Sequence, residues 1–147
     1  MSFTFEIVTP ERVVSKETIT SLTLPTLAGE LTVLTGHVPM VTALSPGVIE
    51  TQKEDGTRDV MAVSGGFVEV MHEKTVILAD TAERAEEIDE ERLERAKEEA
   101  QRVMEESRRV DVNQFTTASA RLQRELARTK AMRRWRNIGG RIRSDKS

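Results

Sequence analysis

His37 is the first residue whose type and surroundings could do chemistry in this 147-residue chain. It follows Gly36 and precedes Pro39 in the stretch GELTVLTGHVPMVTAL, which begins at Gly29. A Walker phosphate loop, Gly-x-x-x-x-Gly-Lys, needs a closer pair of glycines, and here histidine stands where the lysine should be. An imidazole could act as a general base, so a small hydrolase built on His37 is one hypothesis. Turn chemistry favours a tight turn between strands instead.

Other catalytic and metal-binding motifs are missing from the sequence. The nucleophile elbow Gly-x-Ser-x-Gly does not occur, and its nearest match, VSGGF at residues 63–67, lies between two apparent strands rather than at a strand-to-helix turn. His37 and His72 stand alone, without carboxylates at ligand spacing, so we expect no metal site. The chain has no cysteine, which excludes thiolate catalysis and fits a reducing compartment. We therefore expect no catalytic residue.

The charge is strongly asymmetric along the chain. Residues 1–88 hold 6 basic and 14 acidic residues, whereas residues 112–147 hold 10 basic and 2 acidic ones. The basic end, KAMRRWRNIGGRIR, requires an acidic partner. A nucleic-acid-binding protein, with Trp135 stacking on bases, is the alternative function. A solvated or protein-docking face is the preferred interpretation, because the basic run contains a single aromatic residue.

The first part of the chain has the pattern of a β-sandwich. Apolar residues alternate with polar ones in short runs, as at Phe3, Phe5 and Ile7. Glycine and proline interrupt these runs about every ten residues, a spacing typical of an antiparallel sandwich or barrel. We predict a domain of about ten antiparallel strands over residues 1–87.

The period changes after Thr81 to that of helices. Apolar residues from Ile88 to Met104 recur every three to five positions, and Thr81, Glu83 or Asp89 could cap the first helix. A second helix, capped by Asp111 or Asn113, carries apolar residues on one face, namely Phe115, Ala118, Leu122, Leu126 and Met132. We predict an antiparallel two-helix hairpin over residues 88–138 and a basic flexible tail over residues 139–147.

The sequence contains neither a secretory signal nor a run of about 20 apolar residues that could cross a bilayer. We expect a soluble or peripherally attached protein, with no direct bilayer insertion. The start also lacks a transit-like leader, which favours a bacterial origin.

Three segments carry a resemblance to a known family: FTFEIVTPERVV, GELTVLTGHVPMVTALSPGVIE and VSGGFVEVMHEKTVILADTAERAEEID. Together they resemble the epsilon subunit of rotary F-type ATP synthases, of the bacterial type, over most of residues 3–96. The resemblance implies a noncatalytic central-stalk subunit that couples rotation of the membrane ring to ATP synthesis. Its implied partners are the gamma subunit, the ring's c subunits and, when the hairpin extends, the alpha and beta subunits. The implied location is peripheral, on the cytoplasmic face of the plasma membrane.

The family also implies roles for particular residues. Glu30 and the turn Gly36-His37-Val38-Pro39 belong to the edge that meets the ring, and Glu30 is the candidate for a polar contact with a basic ring loop. Apolar outward positions of the sandwich should bind gamma, although the sequence does not assign them. In bacterial members the extended hairpin blocks ATP hydrolysis. The candidate cations for an acidic loop of the beta subunit are Arg124, Arg128, Arg133, Arg134 and Arg136.

Some bacterial relatives bind regulatory ATP through an Ile/Leu-Asp-x-x-Arg-Ala motif. This chain has Ile88, Asp89 and Arg92 at the matching positions, but Leu93 replaces the alanine. The larger leucine could crowd a nucleotide or pack against the second helix. With Arg124 and Arg128, Arg92 could contact phosphates, because guanidinium groups suit them. Surface salt bridges are an equally good explanation of these arginines.

Overall fold

The computed structural model describes residues 1–139, which form ten strands followed by two helices. The strands are β1 Phe3–Val8, β2 Val13–Ile19, β3 Ser21–Thr26, β4 Gly29–Leu34, β5 Met40–Leu44, β6 Gly47–Gln52, β7 Arg58–Val63, β8 Gly66–Val70, β9 Lys74–Ala79 and β10 Ala82–Arg84. A short 3₁₀ turn, Ala85–Glu87, leads to α1 Glu90–Ser107 and α2 Val112–Asn137. This confirms the prediction of β structure followed by a helical hairpin. Most of the predicted tail, residues 139–147, lies outside the described residues.

Hydrogen bonds connect the strands in the order β10-β7-β6-β3-β5-β8-β9-β1-β2, and β4 pairs with β3. The junction between β3 and β5 consists of a single residue pair, Thr26 with Leu44, so the sheet folds there into two layers. One layer holds β5, β8, β9, β1 and β2, and the other holds the remaining strands. The alternating apolar residues of both layers face each other and form the main core, which includes Phe5, Ile7, Leu22 and Ile77.

The strand directions differ from the antiparallel prediction at one position. β1 pairs with β9 in parallel, with Phe5 opposite Thr75 and Ile7 opposite Ile77. This pair joins distant parts of the chain, so no hairpin turn fixes its direction. The other strand pairs within residues 1–139 are antiparallel.

One close approach joins neighbouring strands within a layer, and one polar cluster joins the two layers. Gly66 opens β8 with a φ of +132°, and a Cβ atom there would lie 2.1 Å from the backbone oxygen of Leu78. Only glycine permits this approach of two neighbouring strands. Asp59 on β7 pairs with Arg84 on β10, which also donates to the hydroxyl of Ser15 on β2. Burial raises the pKa of Asp59 above its ordinary value, against the opposing charge of Arg84.

The helical hairpin packs against the outer face of β6 and β7. Val60 and Ala62 on β7 are buried in a second apolar cluster with Ala131 and Met132 on α2. β7 is therefore covered on both faces, which explains its unbroken apolar run VMAV. The hairpin is in its docked position, with α2 against the sheet and α1 against α2.

Both helices begin at predicted caps. The carboxylate of Asp89 accepts a hydrogen bond from the backbone N–H of Arg92, and that of Asp111 accepts one from Gln114. The predicted apolar face of α2 was wrong at Leu126, which is 44% exposed, because Glu125, Ala127 and Thr129 take up the buried positions around it. No helix within residues 1–139 is long and apolar enough to cross a membrane.

Candidate interaction surfaces

The turn that carries His37 lies between β4 and β5. Gly36 has a φ of +80°, and the backbone N–H of His37 donates to the oxygen of Leu34 at 3.2 Å. The Nδ1 atom of His37 lies 2.8 Å from the backbone oxygen of Val38. This is the only hydrogen bond of the ring within the part of the chain that the structure describes, so no nucleophile is positioned for general-base catalysis.

The other predicted ring-contact residues are accessible. Glu30 lies on β4 opposite Pro25 of β3, and its side chain is exposed, as are Val38 and Pro39. β4 pairs with β3 at the margin of the sandwich. Glu30, at the start of β4, and the turn that follows β4 are thus both accessible to a partner, while Val33 between them belongs to the core. Within residues 1–139 no group of three His, Cys, Asp or Glu side chains could hold a metal ion.

An apolar row crosses the outer face of the other layer. The strand registers align Ala43 on β5, Phe67 on β8, Leu78 on β9, Val8 on β1 and Val13 on β2. Phe67 and Leu78 are each 59% exposed, and Val41 beside them is 67% exposed. Outward positions of a free sheet are usually polar, so this row marks a protein-binding face.

On the opposite layer, arginines of α2 pair with carboxylates of the sandwich. Arg128 binds both oxygens of Glu83 on β10, from Nε at 2.7 Å and from Nη2 at 3.1 Å. Arg134 binds Glu50 on β6 from Nε at 2.9 Å and from Nη2 at 2.7 Å. A third pair, Arg136 with Glu90 at 2.6 Å, joins the two helices.

Arg128 also compensates a buried charge. The side chain of Glu125 is almost fully buried, and its carboxylate lies 2.8 Å from Arg128 and 3.6 Å from Arg124. Burial by itself would lower the pKa of Arg128, but its hydrogen bond to Glu83 and the charges of Glu83 and Glu125 raise the pKa above its ordinary value. The docked hairpin therefore holds this cation in its charged form.

These surfaces can be compared with those of known proteins. The family described as "ATP synthase, Delta/Epsilon chain, beta-sandwich domain" matches residues 2–85. An ATP synthase epsilon chain of Moorella thermoacetica is 42% identical over 130 residues, which cover 88% of this chain and 96% of the relative. One from Desulforamulus reducens is 44% identical over 127 residues, covering 86% and 93% respectively.

The chain belongs to the ATP synthase epsilon family.

A solved structure supports the same assignment. The chain is similar to one in the cryo-EM structure of Euglena gracilis mitochondrial ATP synthase (OSCP/F1/c-ring, rotational state 1), with 28% identity, a TM-score of 0.76, and coverage of 86% of this chain and 78% of that one. A Tetrahymena thermophila central stalk/c-ring structure, at 14% identity and a TM-score of 0.55, shares the fold. As in other epsilon chains, the subunit is noncatalytic, which rules out the hydrolase hypothesis.

The predicted nucleotide residues of this epsilon chain lie in two places. Ile88 and Leu93 are fully buried in the apolar cluster beneath α2, so Leu93 is a core residue. The Asp89 carboxylate caps α1, and Arg92 is exposed. Arg124 and Arg128 line a cavity of about 290 Å³ between α2 and β10.

The carboxylates Glu83 and Glu125 also line that cavity, and they balance its two cations. A phosphate chain would have to displace these ion pairs. The five predicted inhibitory arginines also differ in their partners. Arg128, Arg134 and Arg136 form ion pairs, Arg124 lies 3.6 Å from Glu125, and Arg133 is exposed.

Trp135, the residue that would stack on bases in the nucleic-acid alternative, packs against the protein instead. Trp135 is half-buried and packs against the cluster beneath α2, beside Ile138 and Val48. Arg134 and Arg136, on either side of it, are held by Glu50 and Glu90. In the docked hairpin Trp135 therefore faces protein.

The carboxylate partners and the apolar row were missed by sequence reasoning. Glu50 and Glu83 are far from their arginines along the chain, and nothing local marks the pairing. The apolar row did leave a signal, because Phe67 and Leu78 are large apolar residues at positions of the strand alternation where polar residues are usual.

Proposed function

We propose that this epsilon chain couples rotation of the membrane ring to ATP synthesis in the catalytic head, and that its hairpin restrains ATP hydrolysis when it leaves the sandwich. The observation that carries the regulatory part is the chemistry of the docked contact. It combines a small apolar seam with ion pairs between α2 and the sandwich. Such a contact can open without unfolding the main core, which provides a two-state element.

The exposed surfaces of the sandwich suggest where gamma and the c subunits bind. Gamma binds the apolar row of Ala43, Phe67, Leu78, Val8 and Val13, since an interface of this kind needs an apolar centre. The ring's c subunits contact Glu30 and the turn from Gly36 to Pro39. The chain thereby works as a peripheral subunit at the cytoplasmic face of a bacterial plasma membrane.

The alpha and beta subunits are the partners of the extended hairpin. Undocking releases Arg128 and Arg134 from Glu83 and Glu50, and the basic face of α2 can then meet an acidic loop of the beta subunit. With Arg124, Arg133 and Arg136, these cations supply the attraction. The same arginines therefore stabilise the docked form and serve the inhibitory contact.

Deletion of residues 113–147 tests the inhibitory role in the assembled ATP synthase. The deletion removes α2 and all five arginines, and we expect ATP hydrolysis to rise. The complex must contain the truncated chain in normal amount, as judged by copurification with gamma. Unchanged hydrolysis in a normally assembled complex would refute the inhibitory role.

Regulatory ATP binding by Arg92, Arg124 and Arg128 stays a prediction of its own. Since Glu83 and Glu125 compensate Arg124 and Arg128 in the docked form, ATP has to break existing ion pairs, and we expect only weak affinity. Calorimetric titration of the isolated chain with ATP measures it. No heat at millimolar ATP would end the proposal.

A further inference from the structure

We propose that a second cleft, on the opposite flank of α2 from Arg128, binds a small phosphate-class anion and thereby stabilises the docked hairpin. The cleft has a volume of about 400 Å³ and lies between α2 and the ends of β3, β4 and β6. Its α2 wall consists of Lys130, Arg133, Arg134 and Asn137. We call it the cation cleft.

Three of these side chains are free to bind. Lys130, Arg133 and Asn137 follow one another at i, i+3 and i+7, so they share one helix face. Within residues 1–139 neither Lys130 nor Arg133 forms an ion pair, and the amide of Asn137 has no side-chain hydrogen bond. By contrast, Arg134 is already held by Glu50.

The chemistry of the cleft selects an anion with several acceptor oxygens. An ammonium, a guanidinium fork and an amide offer donors from one side, which suits the oxygens of a phosphate group. Pro25, Pro46 and Val48 also line the cleft, whose three free donors are exposed to solvent. Two carboxylates also line the cleft: Glu50, which is paired with Arg134 and Arg58, and Glu30, whose negative charge weakens binding without occupying the free donors.

The site also depends on the position of the hairpin. One wall belongs to α2 and the other to the sandwich, so the cation cleft exists only in the docked form. A ligand that binds one state alone shifts the equilibrium by mass action, and a concentration ten times its Kd raises the docked-to-undocked ratio about elevenfold. Anion binding therefore opposes release of α2.

The test uses the full chain, with inorganic phosphate and tripolyphosphate as probes in calorimetric titrations. Lys130→Gln with Arg133→Gln should reduce tripolyphosphate affinity about tenfold or more, since each charged hydrogen bond contributes at least that order.

The control is Arg108→Gln with Arg109→Gln, which changes the net charge equally but in exposed residues at the hairpin turn. It should leave tripolyphosphate affinity within about twofold of wild type. Glu30→Gln should raise the affinity about threefold.

The proposal would be overturned by no binding at millimolar tripolyphosphate, or by an equal loss of affinity in the Lys130 and Arg133 variant and in the Arg108 and Arg109 control. ATP, used as a second probe, separates free phosphate from nucleotide as the source. If Lys130→Gln with Arg133→Gln weakens ATP as much as tripolyphosphate, the cleft recognises the phosphate chain. ATP and tripolyphosphate binding that survives in this variant but is lost in Arg124→Gln with Arg128→Gln would place the anion on the other flank and refute the cleft. The inhibitory role is tested separately, by the rate of ATP hydrolysis in the assembled complex.

Discussion

Glu125 is the residue on which the docked helix depends most at the scale of single side chains. It is 2% exposed, yet it carries a carboxylate on a helix with a strongly basic surface. Arg128 compensates it and at the same time binds Glu83 on β10. A buried charge without its partner costs much more than an exposed ion pair contributes.

Replacement of Arg128 by Met should therefore destabilise the docked hairpin by about 3 kcal/mol, because Glu125 stays buried and loses its strongest partner. Native-state hydrogen exchange of the α2 amides measures this local free energy. The matched control is Arg102→Met, which removes an exposed pair with Glu106 on α1 and should cost less than about 0.5 kcal/mol.

A second variant distinguishes charge from packing. Arg128→Met combined with Glu125→Leu removes both charges and should recover most of the lost stability. If the α2 amides exchange hydrogen equally slowly in wild type and in Arg128→Met, Arg128 does not stabilise the docked hairpin by compensating the charge of Glu125.

Single residues divide into those that the sequence can identify and those that it cannot. Asp89 and Asp111 were predictable as helix caps, because a cap acts within one turn of the chain. Arg128 could be selected only through family resemblance, and its partner Glu83 is 45 residues away. A pairing of that kind is fixed by the tertiary fold, which a local pattern does not contain.

At the scale of elements, the hairpin is joined to the sandwich through both polar and apolar contacts. Arg128 and Arg134 reach Glu83 and Glu50, while Met132 and Ala131 cover β7. The acidic partners lie on the sandwich, so they can be changed without touching the basic face of α2. Variants of Glu50 and Glu83 therefore change the release of the hairpin without changing the proposed inhibitory contact.

Glu50→Gln combined with Glu83→Gln should lower ATP hydrolysis in the assembled complex. The substitutions weaken docking, yet they leave the cations of α2 available for the beta subunit. Deletion of α2 should have the opposite effect, because it removes the inhibitory contact itself.

A matched control for this pair is Glu94→Gln with Glu106→Gln, which removes two exposed carboxylates of α1 and should change hydrolysis little. Faster hydrolysis in the Glu50 and Glu83 variant, with normal assembly, would contradict the proposed direction of the switch.

The elements were largely predictable, and the errors have physical reasons. Alternating runs and turn residues indicated the strands, while the change of period marked the hairpin. β7 departs from alternation because α2 covers its second face. The parallel pairing of β1 with β9 was missed, since it depends on contacts between distant segments.

On the scale of the whole molecule, the described residues present three distinct surfaces. The apolar row lies on one layer of the sandwich, the hairpin covers the other, and Glu30 and the turn from Gly36 to Pro39 are accessible at the two ends of β4. In the proposed function, the sandwich contacts gamma and the ring while the hairpin changes position.

Phe67→Glu should weaken copurification with gamma by about tenfold or more, because it places a charge at the centre of the apolar row. The side chain is 59% exposed, so the fold should be retained. Val110→Glu is the control, since Val110 is 86% exposed at the turn between α1 and α2, outside the sandwich. Equal gamma binding by Phe67→Glu and wild type would exclude this face as the interface.

The most direct test of the central claim is ATP hydrolysis by a complex whose hairpin cannot leave the sandwich. Because the chain has no cysteine, Glu50→Cys and Arg134→Cys can be joined by a bis-maleimide before reconstitution, with a monofunctional maleimide as control. We expect the cross-linked complex to hydrolyse ATP as fast as the complex lacking residues 113–147, while the control stays inhibited. Equal inhibition with and without the cross-link would contradict this claim.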